Sequence, residues 1–121
     1  MYRRGWIGLP VLVLVLGCGV APRHFRDLID PAPMTRARAT HLGDGLPEAV
    51  AVPALIDRLE DDDPVVRLSA HEALRRRSGQ QFGFLPWADP AERARAVTRW
   101  RSWWTVRQRA IAADQRGSRR N

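Results

Sequence analysis

The stretch VPALIDRLEDDDPVVRLSAHEALRRRSG, residues 52–79, decides the fold. Its first half spaces aliphatic residues as an amphipathic helix does, so that one face carries a continuous apolar stripe. Because proline is tolerated only near the first turn of a helix, Pro53 places the expected start close to Val50–Val52. The acidic run that follows ends this helix. The aliphatic positions are Val52, Leu55, Ile56 and Leu59.

A second helix is expected directly after the acidic turn. Asp63 is a good N-cap and Pro64 is a good first helical residue, so together they mark its start. Gly79 marks its end, since glycine is favoured just beyond a helix C-terminus. Basic residues in the last turn favour the negative end of the helix dipole. The predicted apolar stripe consists of Val66, Ala70, Ala73 and Leu74, and the basic turn of Arg75, Arg76 and Arg77.

This helix pair resembles a HEAT repeat, especially the bacterial kind. The resemblance implies a protein-binding role without identifying a partner. HEAT repeats usually stack in series, because one helix pair cannot bury its apolar face alone, and the sequence holds no second clear copy. Another part of the chain must therefore cover the pair. The matching positions are Pro53, Leu55, Leu59, Asp63, Pro64, Val66, Arg67, Ala70, Ala73 and Leu74.

The chain after the second helix supplies that cover. QQFGFLPWADP, residues 80–90, is unusually apolar for a free loop, so we expect at least two of its rings to be buried. Asp89, Pro90 and Glu92 then form a strong helix start that resembles a capping box, and a third helix is predicted to reach about Asp114. At ~100° per residue its tryptophans share one stripe, which predicts that they pack on the helix pair. The stripe consists of Ala96, Val97, Trp100, Trp103, Trp104 and Ile111.

The run TRWRSWWTVRQR, residues 98–109, leaves other functions open. Exposed tryptophans and arginines would suit a membrane interface, although the helix pair would then stay uncovered. Nucleic-acid binding is disfavoured by the 13 acidic residues and by the helical phasing, which separates most arginines from the tryptophans. A partner-binding face is the remaining alternative. Arg107 falls on the tryptophan stripe, so it either extends its guanidinium from the core edge into water or marks a contact surface.

The N-terminus has the pattern of an export signal. MYRRGWIGLPVLVLVLGCG, residues 1–19, combines two arginines, a short apolar run and small residues at a cleavage point. Its VLGC ending resembles the bacterial lipobox, although Leu16 is bulkier than usual there. The resemblance implies cleavage before Cys18 and lipid on that cysteine, which would anchor the protein in the bacterial cell envelope, facing the periplasm or the exterior. An ordinary cleaved signal, an uncleaved anchor and a twin-arginine signal are the alternatives.

These features divide the chain into four segments. Residues 1–17 form the predicted signal peptide. Residues 18–45 form a lipidated cysteine and a flexible tether, unless the piece RDLID docks on the domain. Residues 46–114 form the predicted all-α domain, a small HEAT-like helical hairpin packed with a long amphipathic C-terminal helix. Residues 115–121 form a basic disordered tail.

The composition supplies no clear chemistry. The chain has 121 residues, a formal charge of +7 and no lysine, so that all 20 basic residues are arginine. A single cysteine excludes an intramolecular disulfide and a multi-thiolate zinc site, and the three histidines lack metal-ligand spacing. His71 fits a helix edge better than a catalytic role, and the acidic turn lacks EF-hand spacing. We therefore expect no catalytic residue, metal, cofactor, small-molecule substrate or nucleic acid.

The expected function is that of a membrane-anchored, non-enzymatic scaffold or adaptor that binds a partner protein. The alternative is a peripheral membrane protein that lays its third helix on anionic lipid. Arginines of the second and third helices would suit an acidic partner, although solvated helix-end charge is the simpler explanation. The candidate contact residues are Arg67, Arg75, Arg76, Arg77 and Arg107.

Overall fold

The structure, a computed structural model, describes residues 24–120. All regular structure in this range is helical, which confirms the predicted all-α class. The predicted signal peptide, the cleavage point and Cys18 lie outside the described residues. Four α-helices are present, α1 Pro33–Ala39, α2 Glu48–Arg58, α3 Pro64–Ser78 and α4 Pro90–Ser118, and two short 3-10 turns flank α1 at Phe25–Ile29 and Thr40–Gly43.

α2 begins earlier than the sequence predicted. It starts at Glu48, with Pro47 as its N-cap, instead of near Val50. Pro53 therefore lies in the second turn of the helix, where a proline removes one backbone hydrogen bond. The prediction was wrong because burial of one helix face outweighs this local cost. The buried residues of that face are Ala51, Val52, Leu55 and Ile56.

α3 begins and ends where the sequence predicted. The carboxylate of Asp63 accepts hydrogen bonds from the N–H groups of Val65 and Val66 at 2.8 and 3.3 Å. Gly79 adopts φ 71°, in the left-handed region, and its N–H donates to the carbonyl of Arg75 at 2.8 Å. Both ends are therefore fixed by groups close in sequence, which is why they could be predicted.

α4 supplies the cover that the hairpin of α2 and α3 needs. Trp100 is completely buried and Trp104 nearly so, and Ala96 and Val97 lie buried on the same stripe. Trp103 is only partly buried and packs at the edge of the core. The prediction that the tryptophan stripe packs on the helix pair is thus confirmed for two of the three indoles.

The loop between α3 and α4 adds further rings to this core. Phe84 is buried, and Phe82 packs against the core while remaining partly exposed. The ring of Phe82 meets Trp100 edge to face, with 4.8 Å between centroids. Trp87 is exposed. The loop therefore buries two of its three rings, that of Phe84 fully and that of Phe82 in part.

α4 is also longer than predicted. It spans 29 residues and ends at Ser118 rather than near Asp114, so residues 115–118 of the expected disordered tail are helical. The three alanines among residues 110–113 and the following Gln115 and Arg116 favour helix, and the helix continues for one residue beyond Gly117, whose helix propensity is low. None of the helices in residues 24–120 is both long enough and apolar enough to cross a bilayer.

The segment expected as a flexible tether is folded from residue 24 onward, so the alternative expectation, in which the piece RDLID docks on the domain, describes these residues better. Leu28, Ala37 and Ala39 are buried, and α1 packs against α3. Gly43 lies so close to the ring of Phe25 that an added Cβ would come within 2.6 Å of it. The packing of α1 was not visible in the sequence, because small residues allow close packing without producing a strong apolar pattern.

A buried carboxylate joins this N-terminal helical segment, residues 24–43, to the hairpin. The side chain of Asp61 is only 2% exposed, and Arg36 of α1 donates to both of its oxygens at 2.8 Å. Arg58 donates at 3.2 Å and the N–H of Asp63 at 3.0 Å. Burial alone would raise the pKa of Asp61, but these donors outweigh burial and hold that pKa below its usual value.

Candidate interaction surface

The solvent-facing side of α4 carries a narrow row of exposed residues. Arg95, Arg99, Ser102, Val106 and Arg109 are all exposed, and at ~100° per residue they fall within about 80° of the helix circumference. We call this row the outer stripe. It has arginines at both ends and an apolar side chain, Val106, which is 65% exposed, between them.

An open groove of about 460 Å³ lies beside the middle of the outer stripe. Trp103 borders it, and its indole packs edge to face on Trp100 with 5.6 Å between centroids. Phe82, which also borders the groove, packs on the same buried ring. Because both aromatic walls rest on Trp100, the groove is preformed. Its lining residues are Phe82, Thr98, Arg99, Ser102, Trp103 and Val106.

The outer stripe carries positive charge that the described part of the chain does not neutralise. Within residues 24–120, Arg95 and Arg109 make no hydrogen bond or ion pair. The Nε of Arg99 donates to the carbonyl of Phe82 at 2.9 Å, which holds its guanidinium at the groove edge without cancelling its charge. Arg101, on the flank of the helix, instead pairs with Glu60 at 2.8 Å. The stripe therefore presents an apolar centre between unneutralised guanidinium groups.

Arg67, predicted as a contact residue, does not lie on the surface. It is only 7% exposed and its guanidinium donates to three backbone carbonyls. The acceptors are Asp61 and Asp62 at 2.7 and 2.9 Å, and Pro86 at 2.8 Å. Because the five donors of a guanidinium can satisfy several carbonyls at once, this arginine joins the α2–α3 turn to the loop before α4. Its predicted contact role is corrected to a structural one.

The three arginines at the end of α3 do not form a free basic patch. Arg75 pairs with Glu72 one turn earlier, at 2.9 Å. Arg76 lies 3.4 Å from the carboxylate of Asp44, and Arg77 donates to the carbonyl of Leu46 at 3.1 Å. Arg76 and Arg77 thus tie the end of α3 to the chain that precedes α2. All three arginines therefore contact other residues of the same chain.

Arg107 forms a two-pronged ion pair across the molecule. Its Nε and Nη2 donate to the two carboxylate oxygens of Glu48 at 2.9 and 3.0 Å. These hydrogen bonds, opposed in part by burial, lower the pKa of Glu48. Arg107 therefore connects α4 to the first residue of α2, an arrangement that neither sequence interpretation of this residue included.

Within residues 24–120, the structure brings together no evident reaction centre. His71 is buried, its Nε2 lies 3.2 Å from the carbonyl of Gln81, and its ring packs against Phe84 at 5.0 Å. Burial lowers the pKa of His71, which favours the neutral imidazole. Residues 24–120 contain no group of three or more His, Cys, Asp or Glu side chains that is placed so that it could hold a metal ion.

Sequence reasoning missed the groove because it assigned all three tryptophans to the buried stripe. At ~100° per residue, Trp103 lies about 60° from Trp100 and Val106 about 120° away on the same side. The signal for the groove that the sequence contained was Val106, an aliphatic residue on the otherwise polar face next to Trp103. The wall formed by Phe82 had no such signal, since loop conformation brings it there.

Comparison with known proteins assigns the chain to no family. No family model, curated protein or solved structure matches it. The similarity of residues 52–79 to a HEAT repeat therefore rests on the sequence pattern alone. The outer stripe and its groove are the features on which a function can be based.

Proposed function

We propose that this protein is a membrane-anchored, non-enzymatic adaptor that binds a partner protein through the outer stripe of α4. The observation that carries the proposal is the preformed apolar groove between unneutralised arginines. A concave apolar surface favours an inserted side chain, and guanidinium groups favour carboxylates. Arg95 and Arg109 are 14 residues apart along α4, about 21 Å, which sets the length of the partner segment. That segment carries an apolar anchor with acidic residues on both sides.

The sequence supports the other two parts of this proposal. The lipobox-like VLGC supports an anchor on Cys18 in the bacterial cell envelope. The HEAT-like pattern of residues 52–79 supports a binding role over a catalytic one. A second copy of the chain is a poor occupant of the groove, because pairing two outer stripes would bring arginines against arginines.

A peripheral membrane protein is the second candidate. It is favoured by the exposure of Val106 beside Arg95 and Arg109 on one helix face, a pattern that suits anionic lipid. Trp100 and Trp104, which would contribute most to interfacial affinity, are buried, and we therefore place protein binding first.

Site-specific photo-cross-linking tests the protein-binding proposal. A photoreactive amino acid replaces Val106 in the full chain expressed in a bacterial envelope. The control position is Val65, which is also exposed but does not line the groove. We expect a discrete adduct from position 106 only, and its loss when Arg95 and Arg109 are both changed to glutamate. Equal adducts from both positions, or an adduct insensitive to charge reversal, contradict the proposal.

Two measurements address the membrane. Tryptophan fluorescence of the full chain carrying Cys18→Ser is recorded with and without anionic vesicles. Unchanged emission and quenching eliminate the peripheral-membrane candidate. Fractionation of cells then tests the anchor, since Cys18→Ser should release the protein from the membrane. If the Cys18→Ser protein stays attached to the membrane after verified signal cleavage, the lipid-anchor proposal is wrong.

A further inference from the structure

The folded N-terminal helical segment brings the domain close to the proposed lipid anchor. His24, the first described residue, follows Cys18 by six positions. An extended chain covers at most ~3.6 Å per residue, so this connection reaches roughly 22 Å at most. A compact domain of about 100 residues has a radius of gyration of ~13 Å, so its full width exceeds this reach. The connection is therefore too short to let every face of the domain turn toward the membrane.

The segment next to this connection exposes apolar and basic side chains. Met34 is 54% exposed, and Arg38 follows it by four residues, so both lie on the same side of α1. Ile29, at the end of the first 3-10 turn, is 80% exposed, and Arg26 in the same turn is exposed as well. We call Arg26, Ile29, Met34 and Arg38 the basal face.

The charge of the basal face is positive and available. Neither Arg26 nor Arg38 has a hydrogen bond or an ion pair within residues 24–120. α1 contains no acidic residue. In the neighbouring turn, Asp27 accepts from the N–H of His24 and Asp30 from that of Ala32, and these hydrogen bonds leave both carboxylates charged. The two guanidinium groups of the basal face are therefore free to bind an external anion.

We propose that the basal face rests on an anionic phospholipid bilayer. Met34 lies at the level of the headgroups, and the guanidinium groups of Arg26 and Arg38 contact lipid phosphates. The orientation depends on the lipid anchor of the proposed function, because the short connection is what holds this face near the bilayer. Ile29 borders a concavity whose lining includes the acidic residues Asp30, Glu60, Asp61 and Asp62, so the contact centres on Met34 and Arg38.

This orientation separates the membrane contact from the partner contact. α1 packs on α3 and α4 packs mainly on α2, so the hairpin lies between α1 and α4. The outer stripe, which faces solvent on α4, therefore points away from the α1 side that is proposed to meet the bilayer. The partner segment is therefore a part of a protein that projects from the membrane surface or approaches from the aqueous side.

Quenching by brominated lipids tests this orientation in the full, lipidated chain. An environment-sensitive fluorescent amino acid is placed at position 34, 65 or 106 in three separate variants. Each replaces an exposed apolar residue, on α1, α3 and α4 respectively. The vesicles contain phosphatidylglycerol and phosphatidylethanolamine with bromine near the headgroups. We expect at least twofold quenching at position 34 and little change at positions 65 and 106. Changing Arg26 and Arg38 to glutamate should abolish the quenching at 34 while the protein stays on the vesicles.

The outcomes separate this orientation from the function on which it rests. An unquenched label at position 34 on a verified lipidated chain overturns the orientation and leaves the adaptor proposal standing. Stronger quenching at 106 than at 34 overturns it as well and favours α4 as the membrane contact. If mass analysis finds no lipid on Cys18, the anchor and this orientation fail together. Failure of the cross-linking at position 106, with quenching at 34 intact, refutes only the partner surface.

Discussion

Replacing Asp61 with asparagine should loosen the N-terminal helical segment and destabilise the whole domain. The two carboxylate oxygens of Asp61 accept from Arg36, Arg58 and the backbone N–H of Asp63. Asparagine has nearly the same volume, so the substitution leaves no cavity. It removes the negative charge and turns one acceptor into a donor that faces guanidinium groups.

The expected loss is about 3 kcal/mol in the free energy of unfolding. Removing one partner of a buried ion pair costs roughly 3–5 kcal/mol. The lower end applies because the side chains of Arg36 and Arg58 are 13% and 25% exposed, so water can solvate them once Asp61 is neutral. A loss of this size is a large share of the 5–15 kcal/mol typical of a small domain. It corresponds to a fall in Tm of roughly 12–24 °C.

Urea unfolding of the full chain, followed by tryptophan fluorescence, measures this loss. The matched control is Asp62→Asn, which removes the same charge from the exposed neighbouring residue. Because the folded-state pKa of Asp61 is lowered, its stabilisation is present above the unfolded pKa of about 3.9 and disappears as pH falls through the folded value. The difference between wild type and variant should therefore shrink in acid. A difference below about 0.5 kcal/mol at neutral pH, or an equal loss in the control, refutes the conclusion that Asp61 holds the N-terminal helical segment to the hairpin.

Three further predictions follow from contacts between distant parts of the chain. Arg107→Ala should raise the pKa of Glu48, the carboxylate on α2 that Arg107 binds, and NMR titration would detect this change. An unchanged pKa of Glu48 would argue against the ion pair. Burial lowers the pKa of His71, so its contribution to stability is complete above about 6.5 and is lost as pH falls toward the folded value. Wild type should therefore lose more stability than His71→Gln between pH 7.5 and 5.5, and parallel urea midpoints would contradict this. Gly43→Ala should push the ring of Phe25 aside and cost about 1–3 kcal/mol, whereas Gly45→Ala, which meets nothing within 4 Å, should be nearly neutral in thermal unfolding.

The hairpin could be predicted from sequence because its determinants are local. The carboxylate of Asp63 caps α3 two and three residues away, and Gly79 closes the other end through a bond to Arg75. Such interactions depend on residue types at fixed offsets, which a sequence displays directly. The packing of Trp100 and Trp104 was predictable for a similar reason, since their helical phase places them on one stripe.

The docking of the N-terminal helical segment could not be predicted in the same way. Its main polar contact joins Arg36 to Asp61, 25 residues later, and no local rule selects that pair among many arginines and carboxylates. Its buried apolar residues are Leu28, Ala37 and Ala39, and two of the three are alanines, which carry little periodic signal. Only the three-dimensional approach of α1 to α3 reveals why these small residues stand there.

The sequence also does not show which arginines are buried and which are exposed to solvent. In a chain without lysine, the sequence offers no clue to which cations are solvated, and arginine tolerates burial because its fork of donors can satisfy carbonyls. Arg67 was expected at the surface for its charge, yet it is buried for its hydrogen-bonding geometry. Net charge consequently overstates the positive surface that a partner would meet.

Once the internally engaged arginines are set aside, the remaining positive charge has a definite distribution. Among residues 24–120, Arg26 and Arg38 lie on the N-terminal helical segment, Arg95 and Arg109 lie on the outer stripe of α4, and Arg116, Arg119 and Arg120 lie at the C-terminal end of α4. Each pair accompanies an exposed apolar residue, Met34 or Val106 in turn. A single binding surface would leave one of these pairs unexplained. The two proposed surfaces, one for lipid and one for a partner protein, would together account for both pairs.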